Sequence, residues 1–551
     1  MIENSKGEQQ NKLNIWMPML FGLVSAFSVY IGFQLRDSTQ PARSSITNAK
    51  PVSKIINKAN TGKLDEIIRF IDSKYVDEVD QEKLINKAIE AMLEELDPHS
   101  NYIKSEDLQE VNESLGGSFE GVGIQFYVLN DTILVVSPVT GGPSEKVGIM
   151  AGDKIIEIED STVAGVGIKN QDVVGMLRGK RGSQVSVNVQ RSGNEKLLPF
   201  TITRDKIPDY SVDAGYMVDK EIGYLKISRF SGTTFQEFMD KIEKMNGLGM
   251  KHLIIDVRQN PGGYLSAATK IVEQIFSKRD LIVYTEGRTQ RKKEYKSTGR
   301  NFYDIDKVAI LIDEGSASAS EILAGAIQDM DRGIIVGRRS FGKGLVQEQY
   351  NLSDRSAIRL TVARYFTPSG RCIQKEYKGK EKREYHDDVG KRLESGELES
   401  QDSSAVVSDT TKFYTSEGRV VYGGGGISPD IFVPIDPVIN NMFYVKSQQY
   451  MNEFVYKLTD KQKDLVNGYE SIEDFNQNFN KSETIFKDFI AYLEEKEIVY
   501  NKNEFNDAKS RIKLNLKALL ARRLFKEDGF YQIMNQSDPV FLKALEDLKT
   551  K

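Results

Sequence analysis

Val308-Ala309-Ile310-Leu311-Ile312-Asp313-Glu314-Gly315-Ser316-Ala317-Ser318-Ala319-Ser320-Glu321-Ile322-Leu323 reads as a strand, a tight turn and a helix. A serine at that junction, Ser318, stands exposed at a strand end. The free N–H groups that open the following helix can stabilise an oxyanion formed beside it. Serine and glycine before a helix are also ordinary capping residues, so capping and catalysis both stay open on this segment alone. Working outward, strand-like runs at 222–227 and 252–257 alternate with amphipathic helical stretches over about 210–375. That alternation predicts an α/β domain.

Two neighbouring segments add chemistry. In Gly337-Arg338-Arg339-Ser340-Phe341-Gly342-Lys343-Gly344-Leu345-Val346-Gln347 one lysine sits between two glycines in a mostly apolar context. Burial can lower a lysine pKa by roughly 3 to 5 units, so Lys343 can serve as a general base. A serine-lysine pair needs no histidine. The same stretch matches part of a phosphate-binding loop, but Gly344 stands where Ser or Thr should hold magnesium, and Leu345-Val346-Gln347-Glu348-Gln349-Tyr350 reads as a strand. In Asp256-Val257-Arg258-Gln259-Asn260-Pro261-Gly262-Gly263-Tyr264-Leu265 a strand ends in a Pro-Gly-Gly turn, whose N–H groups can supply half of an oxyanion hole or simply turn the chain.

The totals narrow the choices. A chain of 551 residues calls for two to four domains. A net charge of −5 offers no basic excess for a nucleic-acid partner. One cysteine, Cys372, excludes an intrachain disulfide framework and a Cys-rich zinc site, and three histidines leave little for a histidine-based site. Residues 13–35 carry no charge and are long enough to span a bilayer. We read 1–14 as a short tail, 15–35 as a transmembrane anchor and 36–62 as a linker. A cleaved signal peptide is the rival, because Ala26-Phe27-Ser28 has cleavage-like spacing.

Residues 63–118 read as a small helical domain and 119–206 as a strand-rich one punctuated by Gly141-Gly142-Pro143 and Ala151-Gly152-Asp153. The α/β region then runs over 207–436, interrupted at 376–415 by a Lys-, Glu-, Asp- and Ser-rich insertion expected to be solvated. Residues 437–551 read as a helical C-terminal domain without a recognisable chemical motif.

The three segments, in this order and behind a strand-rich module, resemble the carboxy-terminal processing peptidases, also called tail-specific proteases. Leu96-Asp97-Pro98-His99-Ser100, Thr367-Pro368-Ser369-Gly370 and the glycine run at 423–430 agree as well. The resemblance implies a multidomain α+β protein, with a PDZ domain before a crotonase-like β-β-α spiral core. It implies a serine endopeptidase with Ser318 as nucleophile, Lys343 as base and Gln347 orienting the lysine. The oxyanion hole would be formed by the amides of Ala319 and of Gly262 or Gly263. The loop Gly121-Val122-Gly123-Ile124 would take the terminal carboxylate of an unstructured protein tail, the tail adding as a strand. Arg178 would either face the catalytic domain or be solvated. No metal or organic cofactor is required. The expected partners are protein or peptide tails, and the membrane through the anchor, with the catalytic part on the extracytoplasmic, or periplasmic, side. A homo-oligomer or an adaptor is left open. An inactive PDZ scaffold that only holds peptides is the alternative. A hydratase- or thioesterase-like enzyme would need an acyl-CoA-binding segment, and none is read.

Overall fold

Strands covered on both faces read as near-continuous apolar runs, and His252–Asp256, apolar at its three central positions, Val308–Ile312 and Ile334–Gly337 follow that pattern. In the computed structural model, which describes residues 58–400, 411–462, 465 and 468–550, they form the middle of a six-stranded sheet. Its order is Val212–Met217, Ile222–Ile227, His252–Asp256, Val308–Ile312, Ile334–Gly337, Ile431–Phe432. The first pair is antiparallel and every later pair parallel.

Side-chain alternation divides this sheet between two cores. Leu253, Ile255, Val308, Ile310 and Ile312 face helices Thr234–Gly247, Leu265–Ile275 and Ala319–Asp329. Ile254, Ala309, Leu311 and Val336 face the other way, onto Val540, Phe541, Ala544 and Leu548 of the last helix, Pro539–Lys549. The expected separate C-terminal domain is thus corrected at its end: residues 539–549 seal the outer face of the α/β sheet. Only helices Met442–Lys461, Ile472–Asn478, Ser482–Glu495 and most of Lys502–Met534 share a core of their own.

A second, five-stranded sheet contains Leu345–Asn351 paired with Ala357–Phe366. The stretch after the partial phosphate-loop pattern is therefore a strand, as read. Asn101–Ile103 also joins this sheet, against Ala357–Phe366. Residues 97–103 accordingly belong to the α/β core rather than to a helical domain. Asp97 explains why: its buried carboxylate accepts from His99 N, Ser100 N, Ser100 Oγ and Thr361 Oγ1, pinning the turn to the strand.

The strand-rich module is a sheet in the order Ile124–Val128, Ile133–Pro138, Lys154–Ile158, Gln184–Gln190, Leu198–Thr203, closed at its ends by the ribbon of Ser118–Gly121 with Asp205–Pro208. Ile124–Val128 is an edge strand. Described by itself, the unit ending at Ile85 contributes helix Lys58–Lys74 and the start of Gln81–Glu94. The multidomain α+β organisation is borne out. Among the described residues no helix is long and apolar enough to cross a membrane. The segment 15–35, read as an anchor, lies outside them.

Candidate active site

Ser318 ends the turn after Val308–Ile312 and precedes helix Ala319–Asp329, with φ +54° and ψ −111°. A side chain in that region costs about 1–3 kcal/mol, and such strain survives only where neighbours impose it. Here the neighbour is Glu321, one turn into the helix and fully buried. Its Oε2 accepts from Ser318 N and from Lys343 N, both at 2.8 Å. Its Oε1 accepts from Ser340 Oγ at 2.6 Å and Gly342 N at 2.8 Å. One carboxylate therefore ties the serine turn to the lysine loop. Burial pushes it up to about 7 against the pull of these four donors. The Tyr365 hydroxyl adds a second tie, lying against the carbonyls of both Ser318 and Lys343.

Lys343 is largely desolvated, and burial, with the nearby Arg359 charge, lowers it to about 8 against the opposing pull of Glu321 and Asp97. Its Nζ donates to Gln347 Oε1 at 3.0 Å, and Gln347 Nε2 donates to the His99 carbonyl at 2.6 Å. Gln347 thus meets the lysine through its amide oxygen. No direct hydrogen bond joins Ser318 and Lys343 side chains among the described residues.

The Pro-Gly-Gly turn lies against the serine. A Cβ on Gly262 (φ +99°) would sit 2.7 Å from both Ser318 Cβ and Ala317 O, so only glycine fits. The Gly262 N–H is taken by Asn260 Oδ1 at 2.8 Å. The N–H groups of Gly263 and Ala319 have no acceptor among the described residues. Of the two glycines left open, Gly263 is the one with a free donor. The turn is anchored through Arg258. Burial alone would raise the Asp256 carboxyl, but Arg258 and Lys226 outweigh it and hold Asp256 well below the usual carboxylate range. Arg258 also donates to Asp538 at 2.7 Å, the residue that caps the final helix.

In the strand-rich module, Gly123 (φ +72°) packs on Ile207, and the N–H groups of Val122 and Gly123 have no acceptor among the described residues. They directly precede the edge strand, which begins at Ile124. Gly121 pairs with Asp205 in the closing ribbon. Arg178 pairs with Glu110 at 3.4 Å and Glu113 at 3.9 Å and stacks on Phe119.

Tyr365 and three further residues escaped the sequence reading. Glu321 had a signal, the Ser-x-x-Glu spacing of a capping box. His99 lay in a motif that was noticed without a role. Tyr385 had none, because it lies in the insertion expected to be solvated; instead Tyr385, Arg392, Glu397 and Leu398 of that insertion are buried, corrected by packing against the lysine loop.

Comparison with known proteins agrees with this architecture. The peptidase family S41 model matches residues 221–381, a PDZ domain 121–202, and an activating protease CtpB N-terminal domain 22–107; a family of unknown function matches 442–526. The carboxy-terminal processing protease CtpB of Bacillus subtilis (strain 168) is 36% identical over 363 residues, 65% of this chain and 74% of its own. A carboxy-terminal-processing protease of Bartonella bacilliformis is 37% identical over 327 residues, 58% of this chain and 74% of its own. A solved photosystem II D1 C-terminal processing protease is 29% identical, with 56% of this chain and 83% of that one covered at a TM-score of 0.32. Fold, motifs and relatives together define a serine-type peptidase carrying a PDZ domain. The chain belongs to the carboxy-terminal processing proteases of peptidase family S41.

Proposed function

We propose that this peptidase works by a Ser318-Lys343 acyl-enzyme mechanism on unstructured protein tails that its PDZ domain captures. Neutral Lys343 takes the Ser318 Oγ proton, the oxygen adds to the peptide carbonyl, and the resulting oxyanion is met by the N–H groups of Ala319 and Gly263. The protonated lysine then returns its proton to the leaving amine. Water, deprotonated by the same lysine, resolves the ester and frees Ser318. The observation that carries the reading is the shared Glu321 oxygen at 2.8 Å from both backbones, beside a lysine whose amine, among the described residues, hydrogen-bonds only to an amide. The serine and lysine side chains need only approach each other, as catalytic pairs do when substrate binds. The free donors of Val122 and Gly123 at an edge strand support capture of a terminal carboxylate. An anchor at 15–35, taken together with the family, would go with a catalytic part on the extracytoplasmic side of the membrane. Rapid acid quench followed by peptide mapping tests the mechanism: a substrate fragment should appear as an ester on Ser318, and a fragment attached elsewhere would refute it.

A further inference from the structure

The insertion at 376–415 carries a residue that reaches the lysine indirectly. We propose that Tyr385 is a positioning residue for the general base: its hydroxyl, bonded to His99 and Gln374, holds the two segments that set the direction of Lys343. The inference rests on the serine-lysine reading above.

The bonds form a closed ring. Lys343 Nζ donates to Gln347 Oε1 at 3.0 Å, and Gln347 Nε2 donates to His99 O at 2.6 Å. The His99 ring Nε2 meets the Tyr385 hydroxyl at 3.0 Å. Gln374 Nε2 donates to that hydroxyl at 3.1 Å, and Gln374 Oε1 accepts from Gly344 N at 2.8 Å, which returns the ring to the residue after Lys343. The proton count is consistent. Burial lowers His99 to about 3, so its imidazole is neutral. The Tyr385 hydroxyl accepts from Gln374 and bonds to His99 Nε2, as donor or acceptor according to the imidazole tautomer.

The tyrosine ring is itself held. It stands edge-on to His99 and to Phe341, with the Lys375 ammonium over Phe341 at 3.7 Å and over Tyr385 at 4.4 Å. A second residue of the insertion grips the same loop: Arg392 donates to Arg339 O at 2.7 Å and Ser340 O at 3.2 Å, while Glu397 pairs with both Arg339 and Arg392. Tyr385 is the member that reaches the side of the loop where the lysine amine lies. Without its hydroxyl, His99 and Gln374 each lose a partner. Gln347 then loosens, and the ammonium gains freedom to reach water. The charges facing Lys343 from its surroundings are Arg359 on the paired strand, Glu321 below the loop and Asp97 in the turn before His99, with His386 further out. None of them is removed by changing Tyr385.

The test compares the full chain with Tyr385→Phe, His99→Ala and Lys343→Ala on one fluorogenic tail peptide over pH 6 to 10. Tyr385→Phe keeps the ring and should melt like the wild type. We expect kcat about 3- to 10-fold lower at neutral pH, KM within about twofold, and the acidic limb of kcat/KM moved up by about half to one pH unit. Activity should recover toward the wild-type plateau at alkaline pH. His99→Ala should move the limb in the same direction, and the double variant should be no worse than the poorer single one; this pair carries the test if Tyr385→Phe proves unstable. A wild-type limb and kcat in Tyr385→Phe, or in a folded His99→Ala, would overturn the inference while Lys343→Ala stays inactive. Retained cleavage by Lys343→Ala would instead overturn the serine-lysine reading itself.

Discussion

Ser318 and Lys343 are joined through their backbones, each presenting its N–H to the same oxygen of Glu321 at 2.8 Å. The register of the serine turn against the lysine loop thus depends on one buried carboxylate with four donors. Glu321→Gln keeps the size but replaces an acceptor with an NH₂ group facing N–H donors. Leaving buried donors unpaired costs about 1–3 kcal/mol each. Glu321→Gln should lose roughly 2–4 kcal/mol of stability and at least about a hundredfold in kcat, read by urea unfolding and peptide cleavage. Wild-type kcat would show that the shared carboxylate is not what sets the register.

The lowered pKa of Lys343 has a direct consequence. As the proposed general base Lys343 would act only when neutral, and burial brings it to about 8. Below that value kcat/KM should climb about tenfold per pH unit and then level off. A limb that stays near the ordinary lysine range would mean that the ammonium is solvated in the working enzyme.

Tail recognition should depend on the free N–H pair at Val122 and Gly123. Gly123 has φ +72°, and an added Cβ would meet Ile207 Cδ1 at 2.8 Å. Gly123→Ala should therefore distort the loop and raise KM about tenfold for a peptide ending in a free carboxylate. Amidating the peptide terminus should have a similar effect on the wild type, measured by fluorescence anisotropy. Equal binding of both peptides would remove the loop from recognition.

The last helix is part of the catalytic sheet's support. Phe541 is 4% exposed and packs edge-on to Tyr224, which donates to Asp256 at 2.9 Å. Phe541→Ala should cost about 3–5 kcal/mol, and Asp538→Ala should cost about 1 kcal/mol for the lost cap alone. Thermal melts check both; an unchanged melting temperature for Phe541→Ala would mean that the helix does not seal the sheet.

The legible and illegible parts divide by physical cause. Val308–Ile312 and the turn after it announce themselves because a strand buried on both faces must be apolar throughout and a serine before a helix is conspicuous. Lys343 stands out for its glycines. The choice between Gly262 and Gly263 could not be read, since it turns on which N–H is consumed by Asn260, a contact within the turn. Tyr385 was hidden by its setting. Helix Lys382–His386 is five residues long, too short for a periodic pattern, and its charged neighbours imitate a solvated loop although its tyrosine is buried. The last helix was misplaced for a different reason: its amphipathic pattern states that a face is buried, not against which partner.

The most direct test of the central claim is mass spectrometry of a protein with an apolar, unstructured C-terminal tail after incubation with the wild-type chain, Ser318→Ala and Lys343→Ala. Tail fragments from the wild type and none from either folded variant is the predicted result; fragments of the same masses from Ser318→Ala or Lys343→Ala would contradict it.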